Sequence, residues 1–244
     1  MTPAGATTSL ASRPATPERR RVLLRTIAVT AAALGSAFGA PLSHTRAETT
    51  DPSAQTPLGA KADAGRGQVL FDQYCARCHG AGGSADARHG VPVLAGQRFG
   101  YLVQQLSALS DGARDGASMH RALSTAELTG IQARTDVAAY LAGARVPANP
   151  QRGDGSHLPL GEATFRVLCV SCHHEDAGGD DDGPVPSLRN QHYAYLLSQM
   201  RRIPGLHRHG IDENFAALLR SLDRDEAAGI ADYLSRQRGP TPRR

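Results

Sequence analysis

The chain contains no tryptophan, and aromatic residues make up only 5% of its 244 positions. With a hydrophobic share of 40%, two small domains of this composition have thin cores. Cores that thin ordinarily need a disulfide, a metal or a bound cofactor. No stretch alternates apolar and polar residues convincingly, so strands are not expected. No basic stripe with interleaved aromatics is present, and nucleic-acid binding is not expected either. Cysteine is scarce, at four residues, and methionine scarcer still, at three. That scarcity gives each of these side chains weight.

What is present begins with an N-terminal leader. Arg19, Arg20, Arg21 and Arg25 precede or enter the Ala-rich apolar run "VLLRTIAVTAAALGSAFGA", which gives way to polar "SHTRAETT". A basic region, a short apolar stretch and a small-residue zone describe an export signal, expected over residues 1–47, with Ala47 or a position nearer Gly39 as the cut. An uncleaved anchor fits less well, because small residues interrupt the apolar stretch. Residues 1–47 hold six arginines and one glutamate, leaving 21 basic and 22 acidic side chains beyond them. The pI of 9.1 therefore belongs mostly to the leader.

A shift of 94 residues lays the rest of the chain on itself. Gly67 meets Gly161, Phe71 meets Phe165, and Val91-Pro92 meets Val185-Pro186. Leu94, Gln97, Tyr101, Leu102 and Gln105 meet Leu188, Gln191, Tyr195, Leu196 and Gln199. The chain is a tandem duplication. Each copy reads as amphipathic helices, "GQVLFDQYCARC" and "GEATFRVLCVSC" first among them, separated by Gly- and Pro-rich loops. The fold class expected is all-α. Domains are expected at 60–147 and 159–238, joined by a linker at 148–158.

All four cysteines fall in two frames, "CARCH" at 75–79 and "CVSCH" at 169–173. Two thiols so spaced at a helix end reach one face of a flat macrocycle, and the next histidine comes to lie under its iron. C-x-x-C-H is the attachment signature of haem c for that reason. A four-cysteine zinc site pairs its CxxC units about 15–20 residues apart, not across a repeat. A thioredoxin-like dithiol needs a βαβ context that is absent. Cys75, Cys78, Cys169 and Cys172 are thus expected to form thioethers with two haem c groups, with His79 and His173 as iron ligands.

Each copy resembles a class I cytochrome c, through "CxxCHG" or "CxxCHH", "VPxL", "GQ" or "NQ", "YLxxQL" and a C-terminal "AxYL" helix. The tandem resembles the periplasmic di-haem cytochromes of the c4 type over roughly residues 60–238. The resemblance implies an electron carrier rather than an enzyme. Its partners would be redox proteins such as an oxidase, a bc1-type complex or a dehydrogenase, with membrane association only through them. It also implies that haem is attached after translocation, so the general secretory route fits better than the twin-arginine route that "RRVLLR" resembles. Pro92 and Pro186 would accept the Nδ1 hydrogen bonds of the two ligating histidines.

The resemblance further implies a distal methionine before the last helix. Met119, in what reads as a Gly/Ser loop, is that ligand in the first copy. The second copy offers Glu213 or Phe215 there, neither of them a thioether. His207 or His209 is expected instead; a five-coordinate iron and ligation by Met200, which otherwise reads as packing, are the alternatives. An open second iron would suit a peroxidase-like enzyme or a small-ligand sensor, the runner-up readings. Residues 60–147 hold nine basic and seven acidic side chains, and residues 156–238 nine and twelve. The acidic run Glu175, Asp176 and Asp180–Asp182 is expected as a solvated loop or as a steering patch for a basic partner. His89 and His192 read as surface residues, and His174, in the place of Gly80, as a bystander.

Overall fold

The computed structural model describes residues 61–85, 90–147, 150–180, 183–205 and 211–238. The expected leader, residues 1–47, lies outside them, as do His89, Asp181, Asp182, His207 and His209. The described residues form helices and loops without strands. The first repeat contributes α1 (Ala64–Tyr74), α2 (Ala76–His79), α3 (Phe99–Ser110), α4 (Ala117–Leu123) and α5 (Ile131–Gly143). The second contributes α6 (Leu158–Leu168), α7 (Val170–His173), α8 (Tyr193–Arg202), α9 (Glu213–Ser221) and α10 (Arg224–Arg236). No helix among the described residues is long and apolar enough to cross a membrane.

The matched glycines and phenylalanines explain the main packing event in each repeat. α1 crosses α5 with backbone against backbone, so a Cβ added at Gly67 would lie 1.9 Å from the Asp136 carbonyl oxygen. α6 crosses α10 in the same way, and a Cβ at Gly161 would lie 1.9 Å from the Gly229 carbonyl carbon. One turn on, Phe71 stacks at a tilt against Tyr140 and Phe165 against Tyr233, with centroids 5.6 Å apart in both pairs. Around these pairs close two separate cores. One gathers Phe71, Leu102, Leu106, Leu128 and Leu141; the other gathers Phe165, Leu196, Ile230 and Leu234. Two small cores, each pinned at a helix crossing, match the thin hydrophobic supply of the sequence.

A buried aspartate on the last helix of each repeat holds the chain that enters that repeat. Asp136 accepts from the Asp63 amide at 2.9 Å and pairs with Arg66. Asp63 in turn caps α1 through the Arg66 amide. Asp232 accepts from the Gly153 and Gly155 amides at 3.0 and 2.7 Å and from Arg236 Nε at 2.8 Å. The segment between the repeats is therefore tied down where it is described. Gln151 and the Pro147 carbonyl extend the tie, bonding to the Tyr193 and Ala194 amides and to Asn190 Nδ2.

Candidate functional site

Each CxxCH frame folds as one helical turn, separated from the helix before it by a break at its first cysteine. The Cys75 amide donates to the Phe71 carbonyl, closing α1, and the His79 amide donates to the Cys75 carbonyl at 3.0 Å, closing α2. Cys169 and His173 repeat both bonds at 2.9 and 3.0 Å. A helical turn brings residues three and four apart onto one side, so both thiols and the histidine leave the same turn. All four cysteines are free thiols. Burial, and then the neighbouring thiol, pushes Cys75 and Cys169 up to about 11. A redox dithiol needs the opposite, a first cysteine with a lowered pKa. The surroundings of Cys75 and Cys169 do not favour thiol–disulfide exchange.

The histidines are buried among the same groups. Burial holds both below the ordinary imidazole range, against a smaller upward push from a proline carbonyl. The neutral ring, the form that ligates a metal, is favoured. His173 Nδ1 donates to the Pro186 carbonyl at 3.2 Å; a carbonyl only accepts, so the proton is on Nδ1 and Nε2 carries the free lone pair. His79 Nδ1 sits close enough to the Pro92 carbonyl to feel it but makes no bond of acceptable geometry. Two thiols and a buried imidazole directed in this way are the donor set that a covalently attached haem requires. Among the described residues, no group of three or more His, Cys, Asp or Glu side chains is arranged to hold a bare metal ion.

The structure revises several sequence expectations around this turn. Met119 lies on α4 rather than in a loop, half-buried against the first core; "ASMHRAL" is composed mostly of adequate helix formers once Gly116 ends the preceding turn. Met200 lies on α8 against the second core. Glu175 and Asp176 are exposed, as a solvated loop requires, and two acids of the run are paired: Asp176 binds Arg189 at 2.6 Å and Asp180 faces His174 Nε2 at 3.2 Å. His192, read as a surface residue, is only 5% exposed, and its Nδ1 accepts from the Gln151 amide at 3.0 Å. It is buried because the chain joining the repeats folds over it.

Sequence reasoning missed the contact between the repeats, which the two matched glutamines make. Gln97 Oε1 accepts from the Ser187 amide and Gln97 Nε2 donates to the Ser187 carbonyl, both at 2.8 Å. Gln191 does the same to Val93 in the other direction, again with both bonds at 2.8 Å. The shift of 94 that relates Gln97 to Gln191 also relates Val93 to Ser187. A contact made once each way is the mark of a two-fold arrangement, here between two halves of one chain. Arg98 and Arg114 add bonds across the same boundary, to the Gly178 carbonyl at 2.6 Å and the Tyr195 hydroxyl at 3.3 Å. The available signal was the recurrence of a glutamine just before each amphipathic helix.

The family model for cytochrome c matches residues 64–144. The chain is 32% identical to cytochrome c4 of Stutzerimonas stutzeri over 153 residues, 57% of this chain and 70% of that one. It is 29% identical to the thiosulfate dehydrogenase electron acceptor of Stutzerimonas stutzeri strain A1501, over 73% of this chain and 89% of that one. The crystal structure of reduced recombinant cytochrome c4 from Pseudomonas stutzeri superposes with a TM-score of 0.64 at 25% identity, over 72% of this chain and 98% of that chain.

Proposed function

The chain belongs to the cytochrome c4 family, and from that membership we propose that it binds two haem c groups covalently, one through Cys75 and Cys78 and one through Cys169 and Cys172. It is a di-haem c-class electron carrier that works between redox partners. The observation that carries the haem assignment is the duplicated turn, in which two free thiols and a buried, neutral histidine leave one side of the backbone. When bound, haem supplies a one-electron couple at its iron. The chain supplies the rest. His79 and His173 offer Nε2 to the iron; the Pro186 carbonyl orients the His173 ring, and the Pro92 carbonyl lies beside His79. Met119 is the distal ligand of the first haem, supported by its place on α4, ahead of the last helix of its repeat. His207 or His209 serves the second.

The haem domains are residues 60–147 and 159–238, joined by residues 148–158, and residues 1–47 are a leader removed on export to the periplasm. Support for export is the basic and apolar pattern around Arg19–Arg25. Donor and acceptor are an oxidase, a bc1-type complex or a dehydrogenase. The relative named as a thiosulfate dehydrogenase electron acceptor supports the last as donor. Intact mass and the pyridine haemochrome of protein purified from a haem-attaching periplasm test the reading. Two haems per chain are expected. One haem, or none with the thiols free, would contradict it.

A further inference from the structure

The peptide group that accepts from His173, and its counterpart beside His79, are each held by the opposite repeat. The Pro186 carbonyl, which accepts from His173 Nδ1 at 3.2 Å, and the Ser187 amide, which donates to Gln97 Oε1 at 2.8 Å, are the two ends of a single peptide unit. The Pro92 carbonyl beside His79 and the Val93 amide, which donates to Gln191 Oε1 at 2.8 Å, are likewise one unit. A peptide whose N–H is engaged by a good acceptor becomes more polarised, and its carbonyl accepts more strongly. Such chains gain roughly 10–30% per bond. Hydrogen bonding at Nδ1 makes a ligating imidazole a stronger donor to its metal, and hydrogen bonding around the ligands is one of the levers on a haem potential.

We infer that Gln97 and Gln191 are crosswise positioning residues, each tuning the histidine of the other repeat. Gln97 acts through the Ser187–Pro186 peptide on His173, and Gln191 acts through the Val93–Pro92 peptide on His79. The route from Gln191 is enclosed, because Gln191 and Val93 are buried, and the route from Gln97 is partly buried. Each glutamine Oε1 also takes the next amide of its own chain, from Arg98 at 2.8 Å and from His192 at 3.0 Å. That second bond fixes the side chain, so its acceptor cannot swing away from the opposite repeat. The coupling is strongest toward His173, where the final bond to the carbonyl is formed, and weaker toward His79, where it is not. The two haem sites therefore differ in strength of tuning while sharing one device.

The inference rests on the haem assignment above, and its test separates the two. In the reduced, haem-loaded protein with nitrogen-15-labelled histidine, the Nδ1–H resonances of His79 and His173 report the hydrogen bonding at each ring directly. Gln97→Leu is expected to move the His173 resonance upfield and leave that of His79 in place, with a rise in the midpoint potential of the second haem. Gln191→Leu is expected to move the His79 resonance, by a smaller amount, and to leave that of His173. Gln97→Glu places a charged, stronger acceptor on the Ser187 amide and is expected to move the His173 resonance downfield while leaving that of His79 in place, which covers the case in which the leucine variant fails to fold. A shift at the histidine of the mutated repeat, equal shifts at both, or none at either would overturn the inference. A haemochrome without two haems per chain in the unaltered protein would instead overturn the haem assignment, and this inference with it.

Discussion

Residue 80 in the first repeat is glycine and residue 174 in the second is histidine, yet the two backbones run alike. Gly80 has φ 70 and ψ 165, and His174 has φ 61 and ψ 165. That region is nearly reserved for glycine, and a side chain held there costs about 1–3 kcal/mol. The turn after C-x-x-C-H thus imposes its path whatever residue follows. In the second repeat the imidazole of His174 meets Asp180 in partial compensation. The buried aspartates show the complementary lesson. Asp136 and Asp232 do the same work from different positions of the last helix, since Asp136 sits opposite Gly67 whereas Asp232 sits three residues past Gly229, the residue opposite Gly161. The haem turn has a fixed path, and the anchors around it have been rebuilt.

The largest effect should fall where the repeats are most alike. Gly67→Ala and Gly161→Ala each put a methyl into the opposing helix backbone, and each should cost about 3 kcal/mol or more, read as a fall in denaturant midpoint. Tolerance of either change would break the claim that both helix pairs cross backbone on backbone. Next come the anchors. Asp232→Ala leaves two amides and Arg236 without their acceptor, and Asp136→Ala strips Arg66 and the Asp63 amide. A loss of about 2 kcal/mol is expected for each, the cost of leaving part-buried amides without an acceptor. Hydrogen exchange should speed up at Gly153 and Gly155 in the first variant and at Asp63 in the second. If both variants exposed the same amides, the anchors would not be separate devices.

The turn residue itself comes third. His174→Gly should stabilise the protein by about 1 kcal/mol, and Gly80→His should destabilise it by a similar amount, both measured as midpoint shifts. A loss of stability in His174→Gly would mean that the contact with Asp180 outweighs the backbone strain. The smallest effect is expected from Met200→Leu, a swap of similar volume against the second core that should cost less than about 1 kcal/mol and leave the haem spectra unchanged. A change in the haem spectra would bring Met200 back as a ligand.

Much of this was legible in the chain because it is locally written. Helical periodicity located α1, α3 and α5 and their counterparts α6, α8 and α10, and the 94-residue shift paired Gly67 with Gly161 and Phe71 with Phe165, the residues that pin both crossings. Four cysteines in two identical frames located the two turns. The rest depends on what lies across space. Gln97 and Gln191 precede amphipathic helices, and nothing local says that their amides reach the other repeat. His192 looks like a surface residue until the chain joining the repeats folds over it. The segment around Met119 combines glycine and serine with helix formers, and packing against the first core decides between loop and helix.

The distal side is where the repeats should part most sharply, with a methionine in the first and none at the matching place in the second. Near-infrared magnetic circular dichroism of the oxidised, haem-loaded protein counts methionine-ligated haems directly. One of two haems should show the methionine signature; two would contradict the account, because the second repeat would then ligate its iron as the first does.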